Sequence, residues 1–287
     1  MSIQNRLEAS LWFLQQLLSR WVGHLCHCRW RWLKNGLIRL FIRQYQVDMS
    51  SCIRKKPTDY ISFNDFFLRR LTATARPLTT LPEAVACPVD GIISQIGNIQ
   101  QGELLQAKNQ YYALETLLGG DQEIPALFQN GHFVTLYLAP KDYHRVHMPL
   151  TGTLQQMIYV PGSLFSVSPQ NTQNIPSLFT RNERVISIFK THNGSMAIIQ
   201  IGALLVASIS TVWASPVTSH KNKKIQRWHY YQEPLLLDRG VEMGHFSLGS
   251  TVILLFPQQK MCWNEQLKAG DIVQVGQAIG TVLVTHT

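Results

Sequence analysis

From Val89 onward, short β-branched and apolar runs alternate with Gly, Pro and Asn turns, which commits most of the chain to β-sheet. The run Val252, Ile253, Leu254, Leu255 and Phe256 is apolar at every position, as a strand buried on both faces requires. Gly249 and Ser250 stand immediately before it. In this part of the chain only ALETLLGG (113–120) carries a helical pattern. DGIISQIGNIQQGELLQA (90–107) and AGDIVQVGQAIGTVLV (269–284) share one cadence of short strands and glycine turns, which predicts hairpins wrapped on each other as in barrel sandwiches.

The first 75 residues read differently. Leu11, Phe13, Leu14, Leu17, Leu18, Trp21 and Val22 fall at helical spacing, and Leu37, Ile38, Leu40, Phe41 and Ile42 repeat the pattern. FNDFFLRRLTATARPL predicts a further helix ending near Pro77. The class is therefore α+β: amphipathic N-terminal helices over residues 1–75, then a strand-rich catalytic body over 76–287 with barrel-sandwich-like β elements. Charge sharpens the division. Up to residue 70 there are twelve basic and four acidic residues, so nearly all of the formal +9 belongs to the N-terminal quarter. Trp12, Trp21, Trp30 and Trp32 lie among those arginines, a mixture that favours a lipid headgroup layer over nucleic acid. The competing arrangement is a core-facing helical hairpin with a solvated basic face.

No apolar run in the N-terminal region reaches the ~18 residues that span a bilayer. Early Glu8 and the late arginines do not follow the order of a cleavable signal. Residues 194–219 carry no charge, but Gly202 and the β-branched Ile198, Ile199, Ile201, Val206, Ile209 and Val212 predict two buried strands there with a glycine break. The five cysteines are irregularly spaced and read as reduced thiols. HLCHC (24–28) has no second cluster to complete a metal site.

Four clusters carry reactive groups: PVDGIIS with Asp90, APKDYHRVHMP with Asp142, His144 and His147, NERV at 182–185, and LGST with Ser250. His144 and His147 lack the spacing and the intervening glutamate of a zinc-peptidase helix, so no metal is expected. A serine, a histidine and an aspartate from separated loops form a nucleophilic triad when folding brings them together. A hydrolase sets its serine in G-x-S-x-G at a strand-to-helix elbow, whereas Ser250 leads into a strand directly after a glycine. That order points to attack of Ser250 Oγ on the carbonyl of Gly249. Glycine tolerates the bent backbone this needs, and a neutral histidine takes the proton near pH 7. Elimination of the resulting ester leaves dehydroalanine, and hydrolysis with loss of ammonia leaves a pyruvoyl group.

FNDFFLRRL, PVDGIISQIG, LLQAK, YLAPKDYHRVHMP, IYVPGSLFSV, LFTRNERV, IGALLVASISTVWA and EMGHFSLGSTVILLF run in order over about residues 60–257. Together they resemble the bacterial, pyruvoyl-dependent phosphatidylserine decarboxylases, with Ala207 standing where a glycine is common. The resemblance implies that Asp90, His147 and Ser250 form a self-cleavage triad and that His144 serves decarboxylation. It implies cleavage between Gly249 and Ser250 into chains 1–249 and 250–287 that stay together as a heterodimer. Ser250 then becomes the covalent pyruvoyl cofactor, which takes the substrate amine as a Schiff base and drains electrons as CO2 leaves. An imidazole near its ordinary value of about 6.5 would return the proton.

The substrate and partner implied are phosphatidylserine and a membrane surface. The location is peripheral, on the cytoplasmic side of the cell membrane, and the product is phosphatidylethanolamine. A diacyl lipid leaves a bilayer at a cost of about 0.8 kcal/mol per CH2, so the enzyme must work at the headgroup level. Competing readings are a pyruvoyl decarboxylase of a soluble amino acid, a membrane-bound scaffold of the same fold that does not cleave, and a serine hydrolase.

Overall fold

The computed structural model describes residues 25–203, 209–214, 217, 224–246 and 250–283. The stripe of residues 11–22 and Gly249 lie outside them. The principal strands are β1 (Gly91–Asn98), β2 (His132–Leu138), β3 (Arg145–His147), β4 (Gly152–Val160), β5 (Arg184–Thr191), β6 (Gly194–Ile201), β7 (Glu242–Phe246) and β8 (Ser250–Phe256). Across a nine-stranded sheet they stand in the order β4–β5–β6–β8–β2–β1, each pair antiparallel. Gln226–His229 and Leu235–Leu237 line the free side of β4, and Ile272–Val273 lines β1. These pairings leave the sheet open among the described residues, so the body is a layered α+β structure and not a closed barrel.

β8 enters from the C-terminal part of the chain and is hydrogen-bonded on both sides. Ser250 pairs with Leu138 and Phe256 with His132 along β2, while Thr251 pairs with Ile201 along β6. Its side chains alternate between two cores. Val252, Leu254 and Phe256 join Val134, Leu136 and Val185 on one face, while Ile253 and Leu255 join Phe133, Ile186 and Ile199 on the other. Burial on both faces is why the sequence shows a continuous apolar run instead of an alternating one. A three-stranded sheet of Ile209–Thr211, β7 and β3 covers the first face through Ile209, Met243, Phe246 and Val146. That layer ties the histidine segment to the end of β7, where the Phe246 N–H donates to the His144 carbonyl at 3.1 Å.

Helix α1 (Arg31–Tyr45) buries Ile38 and packs Leu37, Phe41 and Ile42 against Tyr60 and the phenylalanines of α2 (Phe63–Phe67). Phe41 meets Phe63 edge-on at 5.1 Å between ring centroids. The second stripe is thus core on one face. Trp30, Trp32 and Leu40 remain exposed, each by more than 60% of its surface.

Two expectations resolve clearly. The helix expected to run to Pro77 stops at Phe67: Leu71 instead bridges back to Cys52, and buried Arg69 donates to the carbonyls of Lys141 and Asp142. Thr72 and Thr74 offer little helix propensity to resist this. Within 194–219, β6 and Ile209–Thr211 are strands on either side of Gly202, and among the described residues no helix is long and apolar enough to cross a membrane. ALETLLGG forms the helical turn Leu114–Leu117.

Leu254 has no exposed surface. Leu254→Ala should cost about 2–5 kcal/mol in urea unfolding, while Leu236→Ala on the edge strand should stay within about 0.5 kcal/mol. Equal effects would mean that β8 is not the centre of the core.

Candidate functional site

Ser250 is the first residue of β8, has no exposed surface, and its Oγ has no hydrogen-bond partner among the described residues. A buried hydroxyl without a partner costs stability; Thr135, Ser187 and Thr251 share that state, and Ser250 differs from them in directly following a glycine at the start of its strand. Its cross-strand neighbour Leu138 is also approached from the opposite side by Gly91, where an added Cβ would lie 3.5 Å from the Leu138 Cα and would collide with the Tyr137 carbonyl. The glycine therefore lets β1 close on β2, and it sets Asp90 and Ser250 on two sides of one residue.

The turn Ala139–Tyr143 carries the chain from β2 to the histidines. Asp142 closes it, its carboxylate accepting from the Ala139 N–H at 2.7 Å. Burial pushes the Asp142 carboxyl up. His144 follows, fully buried, with its ring stacked on Phe67 at 4.2 Å between centroids. Its Nε2 lies 3.0 Å from the Ala139 carbonyl, which only accepts, so Nε2 holds the proton and Nδ1, which has no hydrogen-bond partner among the described residues, is an acceptor. Burial and Arg69 pull this imidazole down to about 3. The sequence led us to expect a histidine near its ordinary value; the apolar stack and the neighbouring guanidinium instead keep it neutral.

His147 ends β3. Its backbone N–H donates to the Pro88 carbonyl at 2.9 Å, which ties it to the Asp90 segment. Nδ1 lies 2.8 Å from the Gly240 carbonyl and must therefore donate to it. Nε2 is left with its lone pair free and accepts from the Tyr143 hydroxyl at 3.3 Å. Burial lowers this imidazole, with the Gly240 bond and the charges of Glu242 and Asp90 opposing. It is a neutral base with its free nitrogen held by a weak bond.

Asp90 is 6% exposed, and its carboxylate accepts from Arg76 Nε at 2.8 and 2.9 Å, from Arg76 Nη2, and from the Val275 N–H at 3.0 Å. No hydrogen bond joins it to His147, nor Ser250 to either imidazole, among the described residues. The fold thus gathers the four candidate residues on adjoining strand ends without completing a hydrogen-bonded relay. Two clefts of about 240 and 400 Å3 share Leu71, Arg76 and Tyr143; Asp90 lines the first and His147 the second. Ser250 lines neither. Among the described residues no cluster of metal-ligating side chains occurs.

Sequence reasoning missed Arg76, Tyr143, Gly240 and Glu242. One signal was available: an aspartate flanked by Val89 and Ile92 needs a cation nearby. Glu242, paired with His147 across β7 and β3, binds Arg145 at 2.6 Å, and Arg145 also donates to the Leu68 carbonyl. Burial alone would raise the Glu242 carboxyl, but the hydrogen bonds of His245 and Arg145 and their charges outweigh it and hold it at about 2.

A family model described as phosphatidylserine decarboxylase matches residues 63–281, and one described as PSD matches 15–46. The chain is similar to the phosphatidylserine decarboxylase proenzyme of Azotobacter vinelandii, 49% identical over 93% of this chain and 94% of that one. It is 51% identical to the proenzyme of Ectopseudomonas mendocina over 92% of this chain and 93% of that one. For the Pseudomonas fluorescens proenzyme the identity is 49% over 92% of each.

A carboxyl depressed from its ordinary 4.5 to about 2 stabilises the fold above pH 4.5, and that contribution is lost as pH falls through about 2. Glu242→Gln should therefore unfold about 2 kcal/mol more easily than its parent in urea at pH 7, with the gap narrowing from pH 4.5 downward. A gap constant with pH would remove the ion pair as its cause.

Proposed function

The chain belongs to the phosphatidylserine decarboxylase family, and from that premise we propose that it cuts itself before Ser250 and then converts phosphatidylserine to phosphatidylethanolamine and CO2. The observation that carries this reading is the Ser250 hydroxyl: fully buried, without a partner among the described residues, at the head of a strand locked on both sides. The Gly249–Ser250 peptide bond is the electrophile nearest to that hydroxyl along the chain.

In the cut, Ser250 Oγ bonds to the Gly249 carbonyl carbon and the peptide C–N bond breaks. His147 Nε2, neutral and unprotonated, takes the hydroxyl proton and gives it to the departing amine. Loss of the Ser250 α-proton then expels the Gly249 carboxylate, and water replaces the nitrogen as ammonia. The residues fit the group that results, since it forms from Ser250 in place and the buried position shields it from solvent. A pyruvoyl group there supplies the electron sink that CO2 loss requires.

Around it, His144 offers Nδ1 as an acceptor. Because its imidazole is neutral, it returns a proton to the product carbon only after taking one up. Asp90 supplies negative charge beside His147. The two pieces stay joined, because β8 lies between β6 and β2, and Ala278–Val282 pairs with Ala84–Ala86.

The same reading places the enzyme on a bilayer. Arg29, Arg31, Arg39 and Arg43 are exposed alongside Trp30, Trp32 and Leu40, giving α1 an outward face of cations and large apolar side chains. Such a face lies in a headgroup layer without crossing it.

Phosphatidylserine vesicles incubated with the protein should release CO2 and accumulate phosphatidylethanolamine, while free serine should not be turned over. Ser250→Ala should abolish the reaction, and His147→Ala should accumulate uncut chain through a loss of about 10²–10⁴ in cleavage rate. Turnover by Ser250→Ala would overturn the reading. Separately, replacing Trp30, Trp32 and Leu40 by serine should weaken sedimentation with anionic vesicles at least about tenfold while cleavage continues. Undiminished sedimentation would move the lipid contact elsewhere.

A further inference from the structure

We propose that Arg76 is the positioning residue for Asp90 in self-cleavage, holding the carboxylate beside the His147 cleft; this rests on the maturation role given to Asp90 above. Arg76 meets both carboxylate oxygens, through Nε to each and Nη2 to one. Its remaining nitrogen, Nη1, donates to the Ala75 carbonyl at 2.8 Å, which fixes the fork to its own backbone. The Val275 N–H completes the cradle from the opposite strand connection. Asp90 is thereby clamped between two segments nearly two hundred residues apart in sequence.

The clamp matters because among the described residues no other group hydrogen-bonds that carboxylate. His147 spends its Nδ1 proton on Gly240 and receives Tyr143 at Nε2, so Asp90 does not act through a hydrogen bond to the ring. Asp90 therefore works by charge and place. A buried carboxylate keeps its charge only with a partner, and a guanidinium fork fixes its plane as an ammonium does not. Arg76 also lines both the Asp90 and the His147 clefts, together with Leu71 and Tyr143. Asp142, Tyr143 and Cys87 feel the charge of the same carboxylate, and none of them is a cation. Among the described residues Arg76 is the only side chain forming an ion pair with Asp90.

The test is a double-mutant cycle read as the rate of conversion of newly made full chain into two pieces on a denaturing gel. Arg76→Gln should slow cleavage about 10- to 100-fold, and Arg76→Lys, which keeps the charge but loses the fork, about 3- to 10-fold. In an Asp90→Asn background neither replacement should slow cleavage further. That double variant also strands no charge, so it folds even where Arg76→Gln alone does not, and Arg76→Lys supplies the parent-background measurement. Full additivity, or unchanged cleavage in both Arg76 variants while Asp90→Asn is slow, would overturn the positioning role. Unchanged cleavage in Asp90→Asn itself would instead remove the role of Asp90 on which it rests.

Discussion

Everything in this molecule hangs on the double pairing of β8. A strand bonded to β6 on one side and β2 on the other cannot slide, because a one-residue slip would send its apolar side chains to the wrong cores. Ser250 is the residue at which that pairing begins. The backbone from Ser250 onward is fixed by that pairing, which holds the serine at a set place for the cut proposed before it. On the proposed cut, the same pairing would hold the C-terminal piece in place, so covalent structure would change without dismantling the sheet.

Electrostatics then divide the labour between two histidines only three residues apart. His144 packs flat on Phe67, far from solvent, with one nitrogen bare. His147 sits at a cleft with its free nitrogen toward a tyrosine hydroxyl. Both are neutral for the same first reason, burial, but Arg69 deepens the effect at His144 while Asp90 and Glu242 oppose it at His147. A neutral imidazole with an available lone pair suits proton abstraction from serine. Nearby, Arg145 with His245 holds the Glu242 carboxyl low against its burial, while Arg76 fixes Asp90 by bonding both of its oxygens.

Much of this was legible in the sequence where the signal is local. The unbroken run Val252–Phe256 announced a strand buried on both faces, and Gly202 marked the break that separates two strands from an apparent membrane span. Asp90, His144, His147 and Ser250 stand in short motifs that single them out in the sequence, and the fold sets them on adjoining strand ends. What was hidden depends on contacts between distant segments. Helical pattern in FNDFFLRRLTATARPL gave way after Phe67 because Arg69 and Leu71 are claimed by partners elsewhere in the fold, a demand that no local propensity encodes. Arg76 was unreadable as the mate of Asp90 for the same reason. The apolar stripe of α1 was visible, but its division into an inward Ile38 and Phe41 and an outward Trp32 and Leu40 needed the phenylalanines of α2 on the page.

The most direct measurement of the central claim is the intact mass of the purified protein under denaturing conditions. The account predicts two species, one ending at Gly249 and one beginning at position 250, the second lighter by one ammonia than the same piece with an N-terminal serine. A single species with the mass of the uncut chain, from protein that decarboxylates phosphatidylserine, would contradict it.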